Sequence, residues 1–400
     1  MFLKPAGLVL AAGVVAAIHV GKLAPALPHL QQDLGISWVT AGFLLSLVQL
    51  AGMLLAASMG VWMGGLGLRR SLIAGLALLG LASTAGALAS DATWLAILRA
   101  VEGVGFLMVV VSAPGLIRRL VMPDRLSQAL GLWGAYMPSG TALALLLGPG
   151  LIAGLSWPAW WGLTGLLAIA MSWQIWRHVP ADSPESTFSG FGLGKGLRAT
   201  LSAAGPWLTA LSFAVYSGQW MAIIGFLPTL YSLAGVSGVW LGILTAAAAA
   251  ANMVGNIASG RLIGSGWPVR STLWLGFGLM AVGSSLAFLA ATEPWPWLRY
   301  SAVLLFSAGG GLVPGTLFFL AVRLAPGERQ VASTLGWVQQ MSAMGQFAGP
   351  PLVAALAVRM GNWHWTPLFT LSCCLVGGAI ALRLQRLFDQ TKLESNHAAR

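Results

Sequence analysis

Long apolar runs, separated by short polar, glycine- or proline-bearing breaks, cover almost all of the 400 residues. Runs of the roughly 20 residues needed to cross a bilayer as a helix fall at 6–31, 38–65, 69–90, 93–117, 127–153 and 157–177. A second set follows at 205–232, 236–263, 270–292, 295–323, 330–358 and 364–387. The pattern predicts an all-α membrane protein of twelve transmembrane helices in two six-helix bundles. The one longer polar interval holds His178, Asp182, Glu185 and Lys195 among Pro, Ser and Gly, and reads as a linker. The expected organisation is an N-terminal bundle (1–177), a linker (178–204), a C-terminal bundle (205–387) and a short tail (388–400). Lys4 ahead of an Ala/Val/Leu run gives the start the look of a secretory signal. His19 and Lys22 interrupt that run and further spans follow at once, so a first transmembrane helix is expected instead.

Charge then orients the spans. Lys4, Arg69–Arg70, Arg118–Arg119 with Arg125, Arg177 with Lys195 and Arg198, Arg261 with Arg270, Arg323 with Arg329, and Arg383 with Arg386 fall on alternate sides of successive runs. The opposite loops carry mainly Asp33, Asp91, Glu293 and Arg359. Basic residues accumulate on the cytoplasmic side, so both termini are expected there, in a bacterial-type inner membrane. The net charge of +11 is spread over these short loops, which makes it a topology signal and not a nucleic-acid surface. Only 8% of residues are charged and 57% are hydrophobic, against about 25% charged in soluble domains. The two cysteines, Cys373 and Cys374, are adjacent within an apolar run and read as packing residues.

The halves repeat each other. At an offset of 200, Leu27–Pro28 and Leu30 pair with Leu227–Pro228 and Leu230, Gly60 with Gly260, and Leu98–Arg99 with Leu298–Arg299. At an offset of 204, Trp133 and Met137 pair with Trp337 and Met341. Pairs of rarer residue types held at nearly one offset across several spans imply duplication, a recurring origin of transporter folds.

Several motifs sit at matching places in this frame. Gly60-Val-Trp-Met-Gly-Gly-Leu-Gly67-Leu-Arg69-Arg70 lies between spans 2 and 3, with a weaker echo from Gly260–Arg261 to Arg270. Leu95, Arg99, Glu102, Gly103 and Gly105 lie in span 4, and Gly148-Pro149-Gly150 in span 5. Together they resemble the major facilitator superfamily of secondary transporters along essentially the whole chain. The resemblance implies two rocking six-helix bundles, a substrate site near midplane and a monomer. It also implies a gating role for Gly60, Gly67, Arg69 and Arg70, whose family loop carries an acid where Gly64 stands here. That missing acid is expected to be replaced by another, Asp124 being a candidate, or by glycine packing and helix dipoles. Span 1 and the segment Phe226-Leu-Pro228-Thr-Leu-Tyr231, read as a proline-broken gate, resemble the cyanate and nitroimidazole branch.

Ionisable groups at membrane depth cost about 2.5–3.5 kcal/mol each on insertion scales and are kept mostly for function. Arg99 and Glu102 share a helix face at a spacing of three, and His19 and Lys22 do the same in span 1. Lys22 and Arg99 are candidates to bind an anionic substrate, and Lys22 either pairs with Glu102 or snorkels to the interface. Glu102, the one acid well inside a span, is the candidate protonation switch. His19, of the residue type that titrates nearest neutrality, is a second coupling candidate. Arg299, beside Trp295, Trp297 and Tyr300, reads as an interfacial anchor. Neutral lining candidates are Gln49 and Tyr136 in the first half and Tyr216, Gln219, Trp220 and Gln339 in the second, with Asn256 expected to join helices.

The leading expectation is a proton-coupled secondary transporter of a small organic, anionic molecule, since Lys22, Arg99 and Arg299 outnumber Glu102. Drug or metabolite efflux by proton antiport is the alternative. An enzyme would need a metal-type cluster or a nucleophile with a base, and no such constellation is written in the sequence. Nor is there a phosphate-binding Gly-x-x-x-x-Gly-Lys-Ser/Thr. No cofactor or metal is expected. The expected partners are a small-molecule substrate, protons and the lipid bilayer.

Overall fold

A computed structural model of the chain describes residues 5–122, 125, 129, 132–182, 193–327 and 330–398, with side chains at all of these except 60–65, 193–195 and 391–398. Eleven helices among the described residues are long and apolar enough to cross a membrane. They are span 1 (Pro5–Leu34), span 2 (beginning at Trp38), span 3 (Leu68–Gly86), span 4 (Ala92–Leu120), span 5 (Tyr136–Gly154), span 7 (Ala204–Leu233), span 8 (Gly238–Gly264), span 9 (Val269–Phe288), span 10 (Pro296–Arg323), span 11 (Val331–Met360) and span 12 (Trp363–Gln390). Span 6 (Trp157–His178) is long enough at 22 residues. Its five tryptophans, among them Trp160 and Trp161, lower its hydropathy without making it polar.

Three local features depart from plain rods. Span 1 is interrupted at Lys22, between helical stretches Pro5–Gly21 and Leu23–Leu34. Pro25 lies three residues on and has no N–H to give to the Gly21 carbonyl. Span 2 contains a 3₁₀ turn at Leu47–Gln49 between Trp38–Ser46 and Leu50–Leu66. Gly103 of span 4 lies against that turn, where a Cβ would come within 2.6 Å of the Val48 carbonyl oxygen. Span 7, in contrast, runs unbroken through Pro228 to Leu233. The expectation of a proline-broken segment there is therefore corrected: neighbouring helices bury Phe226–Thr229 and sustain the helix past the missing donor. The described helix of span 5 begins at Tyr136, and the linker contains a helix at Leu193–Ser202. Asp124, Glu185, Arg329 and Lys4 lie outside the described residues.

Packing divides the chain into two units, Met1–Phe191 with Ala222–Ala250, and Gly192–Met221 with Ala251–Arg400. In the first, Leu23, Leu27, Leu30, Leu44, Leu45 and Trp161 are fully buried, Trp161 being the largest such side chain. Spans 3 and 4 cross closely at Gly75 and Gly105, as small residues allow. In the second, Phe277 and Phe306 fill the centre. Apolar side chains outside these cores, such as Leu88, Leu375 and Trp297, stay exposed. That is the expected surface of a helix facing lipid.

Candidate functional site

The first unit buries four ionisable side chains in one cluster, His19 and Lys22 from span 1 and Arg99 and Glu102 from span 4, all with 0% exposure. The spacing of three on each helix sets the pairs face to face. Lys22 Nζ donates to Glu102 Oε1 at 2.7 Å, to Ser83 Oγ of span 3 at 2.6 Å and to His19 Nδ1 at 3.3 Å. All three ammonium hydrogens are thereby used, and the Trp161 ring lies 4.7 Å from the nitrogen as a cation–π partner. Arg99 Nη1 donates to Glu102 Oε2 at 2.5 Å and to the His19 carbonyl at 2.8 Å. The interruption of span 1 supplies that acceptor. It likewise supplies the Lys22 carbonyl, which takes Trp160 Nε1–H at 3.0 Å.

Hydrogen bonding fixes the state of the histidine. Nδ1 faces the ammonium and so accepts, whereas Nε2 donates to the Thr164 carbonyl at 3.1 Å. His19 is therefore neutral, with its proton on Nε2. Two cations then stand against one carboxylate, leaving a surplus of one positive charge where isolated charges cost several kcal/mol. Ser83 Oγ passes its own hydrogen to the Trp161 carbonyl at 2.8 Å, and Thr164 Oγ1 donates to the same oxygen at 3.0 Å. Among the described residues, Arg99 Nη2 and Trp161 Nε1 have no hydrogen-bond partner.

A second polar set lies in the other unit. Asn252 Nδ2 of span 8 donates to Tyr216 Oη and to the Ser307 carbonyl, both at 3.0 Å, and Trp220 Nε1 donates to Ser307 Oγ at 3.2 Å. Asn256 Nδ2 donates to Asn252 Oδ1 at 2.9 Å. Gln219 faces span 12, accepting from Cys374 Sγ at 3.4 Å, and its Nε2 has no partner among the described residues. Tyr216, Gln219 and Trp220 are thus buried and tie span 7 to spans 8, 10 and 12. Gln339 is half-buried, Gln49 is buried, and Tyr136 stacks on Trp133 with ring centroids 4.4 Å apart. Arg299 holds Thr292 Oγ1 and the Leu289 carbonyl, each at 3.3 Å.

The loop between spans 2 and 3 is built on Asp182. Gly67 takes φ +88°, and a Cβ there would lie 2.5 Å from Asp182 Oδ2. The carboxylate accepts the first N–H groups of span 3, Arg69 N at 3.1 Å and Arg70 N at 3.3 Å, a favoured place for negative charge. It also pairs with Arg119 Nη1, from the end of span 4, at 2.7 Å. Arg119 Nη2 donates to the Pro180 carbonyl at 2.8 Å, and the Arg69 guanidinium reaches the Trp176 carbonyl. An acid does serve this loop, and it comes from the linker. Gly60 lies in the span 2 helix, and its surroundings fall outside the described side chains.

Sequence reasoning brings Lys22, Arg99, Glu102 and His19 together, and the structure does the same. It misses Ser83, Thr164 and Trp161, which carry no signal that separates them from other small polar or aromatic residues in membrane helices. Asp182 was visible only as a linker charge.

A sequence profile described as the Major Facilitator Superfamily matches residues 9–342. The tetracenomycin C resistance and export protein of Streptomyces glaucescens is 27% identical over 198 residues, 47% of this chain and 36% of that one. The cyanate transport protein CynX of Escherichia coli (strain K12) is 27% identical over 232 residues, 56% of this chain and 58% of that one. The chain thus spans about a third of the first relative's length and somewhat over half of the second's. Among solved structures, a bacterial homologue of the human lysosomal transporter Spinster superposes with TM-score 0.72 in its inward-facing, unoccupied form. That match covers 98% of this chain and 99% of the other at 14% identity. The occupied form superposes with TM-score 0.68 at 13% identity, covering 96% and 94%. At such identities the likeness is one of fold.

Proposed function

Because the chain belongs to the Major Facilitator Superfamily of transporters, we propose that it moves a small, anionic organic solute across a bacterial inner membrane by alternating access, coupled to protons. The observation that carries this reading is the buried cluster of Lys22, Arg99 and Glu102, whose surplus positive charge suits an anion. The similarity to a cyanate transport protein supports the same solute class. On this reading Lys22 and Arg99 supply the attraction once a conformational change opens the cluster. Gln49, Tyr136, Tyr216, Gln219, Trp220 and Gln339 orient the solute, and the buried cluster of His19, Lys22, Arg99 and Glu102 couples protons. Gly60, Gly67, Arg69, Arg70 and Pro228 belong to the gates. The Asp182 contacts support the Gly67 loop's share in gating by joining spans 3, 4 and 6 at one point.

The test uses purified protein in liposomes loaded with unlabelled cyanate, followed by counterflow of labelled cyanate and competition by small carboxylates. Saturable counterflow above protein-free vesicles is expected. A protein that ignores all these anions yet exports lipophilic cations against a pH gradient would replace this reading with a second one, drug or metabolite efflux by proton antiport. That second reading draws on the similarity to a tetracenomycin C export protein and on Gly148-Pro149 in span 5.

A further inference from the structure

The geometry points to Lys22, and not Glu102, as the group that binds and releases the coupled proton, one proton travelling with each monovalent anion. This rests on the reading of the chain as a proton-coupled anion transporter. Glu102 is faced by donors on both oxygens. Oε1 faces the Lys22 ammonium at 2.7 Å and Oε2 faces the Arg99 guanidinium at 2.5 Å. Both groups only donate. A proton added to either oxygen would point at another donor and find no acceptor there, and it would leave two buried cations with no counter-charge. Protonating Glu102 thus raises the surplus charge of the cluster from one to two.

Losing the proton of Lys22 takes the surplus to zero. The neutral amine keeps two hydrogens and gains a lone pair, and its neighbours serve that form as well. From span 4, Glu102 Oε1 remains an acceptor, and from span 1, His19 Nδ1 does too. From span 3, the Ser83 hydroxyl, which now accepts from Lys22 at 2.6 Å, can turn its hydrogen onto the lone pair. That hydrogen leaves the Trp161 carbonyl of span 6, which Thr164 Oγ1 still reaches at 3.0 Å with the one hydrogen it shares between the Trp160 and Trp161 carbonyls. Arg99 stays paired with Glu102 and remains charged, guanidinium being protonated at any relevant pH. In balance, one Nζ–H bond breaks, the proton passes to water, and the electron pair stays on Nζ. Every partner of Lys22 is satisfied in both states.

Neutrality then links the two cargoes. With Lys22 protonated the cluster holds one uncompensated positive charge, which a bound monovalent anion cancels. With the anion gone, releasing the proton cancels it instead. Anion and proton therefore load together and leave together, and the cycle moves no net charge.

The chain has four lysines, Lys4, Lys22, Lys195 and Lys392. A full-length sample labelled with ¹⁵N at lysine Nζ thus gives at most four signals, with that of Lys22 assigned by its loss in Lys22→Arg. On raising the pH, the Lys22 signal is expected to move from the ammonium to the amine position. Infrared difference spectra between acid and alkaline samples are expected to lack any carboxylic-acid band that disappears in Glu102→Gln. In liposomes, Lys22→Arg, which cannot give up its proton, should lose the accumulation of labelled cyanate driven by a pH gradient. Wild-type accumulation should be unchanged when a potassium diffusion potential is imposed. A Lys22 signal that stays ammonium at all pH values, a carboxylic-acid band belonging to Glu102, or wild-type accumulation by Lys22→Arg would each overturn the assignment. Absence of cyanate counterflow in the wild-type protein would instead remove the transport reading, and the spectra would still decide which group titrates.

Discussion

Removing Glu102 and then removing Lys22 as well gives stability changes whose order follows from charge alone. Glu102→Gln leaves the ammonium of Lys22 and the guanidinium of Arg99, both 0% exposed, with no carboxylate between them. The amide oxygen can serve one donor, and the amide nitrogen faces the other. Breaking a buried pair in this way typically costs about 3–5 kcal/mol. Lys22→Met alone leaves Arg99 and Glu102 as a neutral pair and forfeits the contacts with Ser83 and His19, a loss on the order of 1 kcal/mol. In the double variant only Arg99 remains charged, and it keeps the His19 carbonyl at 2.8 Å. The double variant should therefore be more stable than Glu102→Gln by about 2 kcal/mol, which together with the loss of about 1 kcal/mol in Lys22→Met makes a coupling of about 3 kcal/mol, at the upper end for groups in contact. The assay is the temperature at which half the protein ceases to elute as a single species from size-exclusion chromatography in mild detergent. Additive losses, with the double variant below both singles, would refute the idea that Lys22 and Glu102 are held as an ion pair.

Other consequences are local. Asp182→Ala removes the acceptor of Arg69 N and Arg70 N and the partner of Arg119, so the same assay should show a loss of roughly 1–2 kcal/mol, with Asp182→Asn intermediate. Gly67→Ala combines a φ of +88° with a Cβ 2.5 Å from Asp182 Oδ2, and should destabilise at least as much as Asp182→Ala. Gly103→Ala drives a methyl to within 2.6 Å of the Val48 carbonyl; separation of spans 2 and 4, read as faster cross-linking loss between engineered cysteine pairs, is expected. Tyr216→Phe removes the hydroxyl shared with Asn252 and should lower stability by about 0.6 kcal/mol, while Trp220 keeps its bond to Ser307.

The spans were legible because a bilayer demands apolar length, and the ionic cluster was legible because charges at that depth are rare enough to be paired by spacing. Arg99 with Glu102, and His19 with Lys22, followed from one helical turn each. The partners that decide which group titrates were not legible. Ser83 and Thr164 look like any small hydroxyl residue in a membrane helix, and only packing sets them against Lys22 and the Trp161 carbonyl. The break in span 1 at Lys22 was hidden as well, because Pro25 marks where a donor is missing but not which carbonyl a guanidinium will claim. Pro228 misled in the other direction, since its surroundings keep span 7 helical. Asp182 was not legible because an acid from elsewhere was expected but Asp124 was the candidate, whereas the carboxylate arrives from 113 positions further along.

The account stands or falls on coupling between an anion and a proton through this cluster. The most direct measurement places a pH-sensitive dye inside proteoliposomes and adds cyanate outside. The account predicts lumenal acidification beyond that of protein-free vesicles in the wild-type protein, lost in Lys22→Arg. Cyanate entry without any proton movement, or acidification that survives in Lys22→Arg, would contradict it.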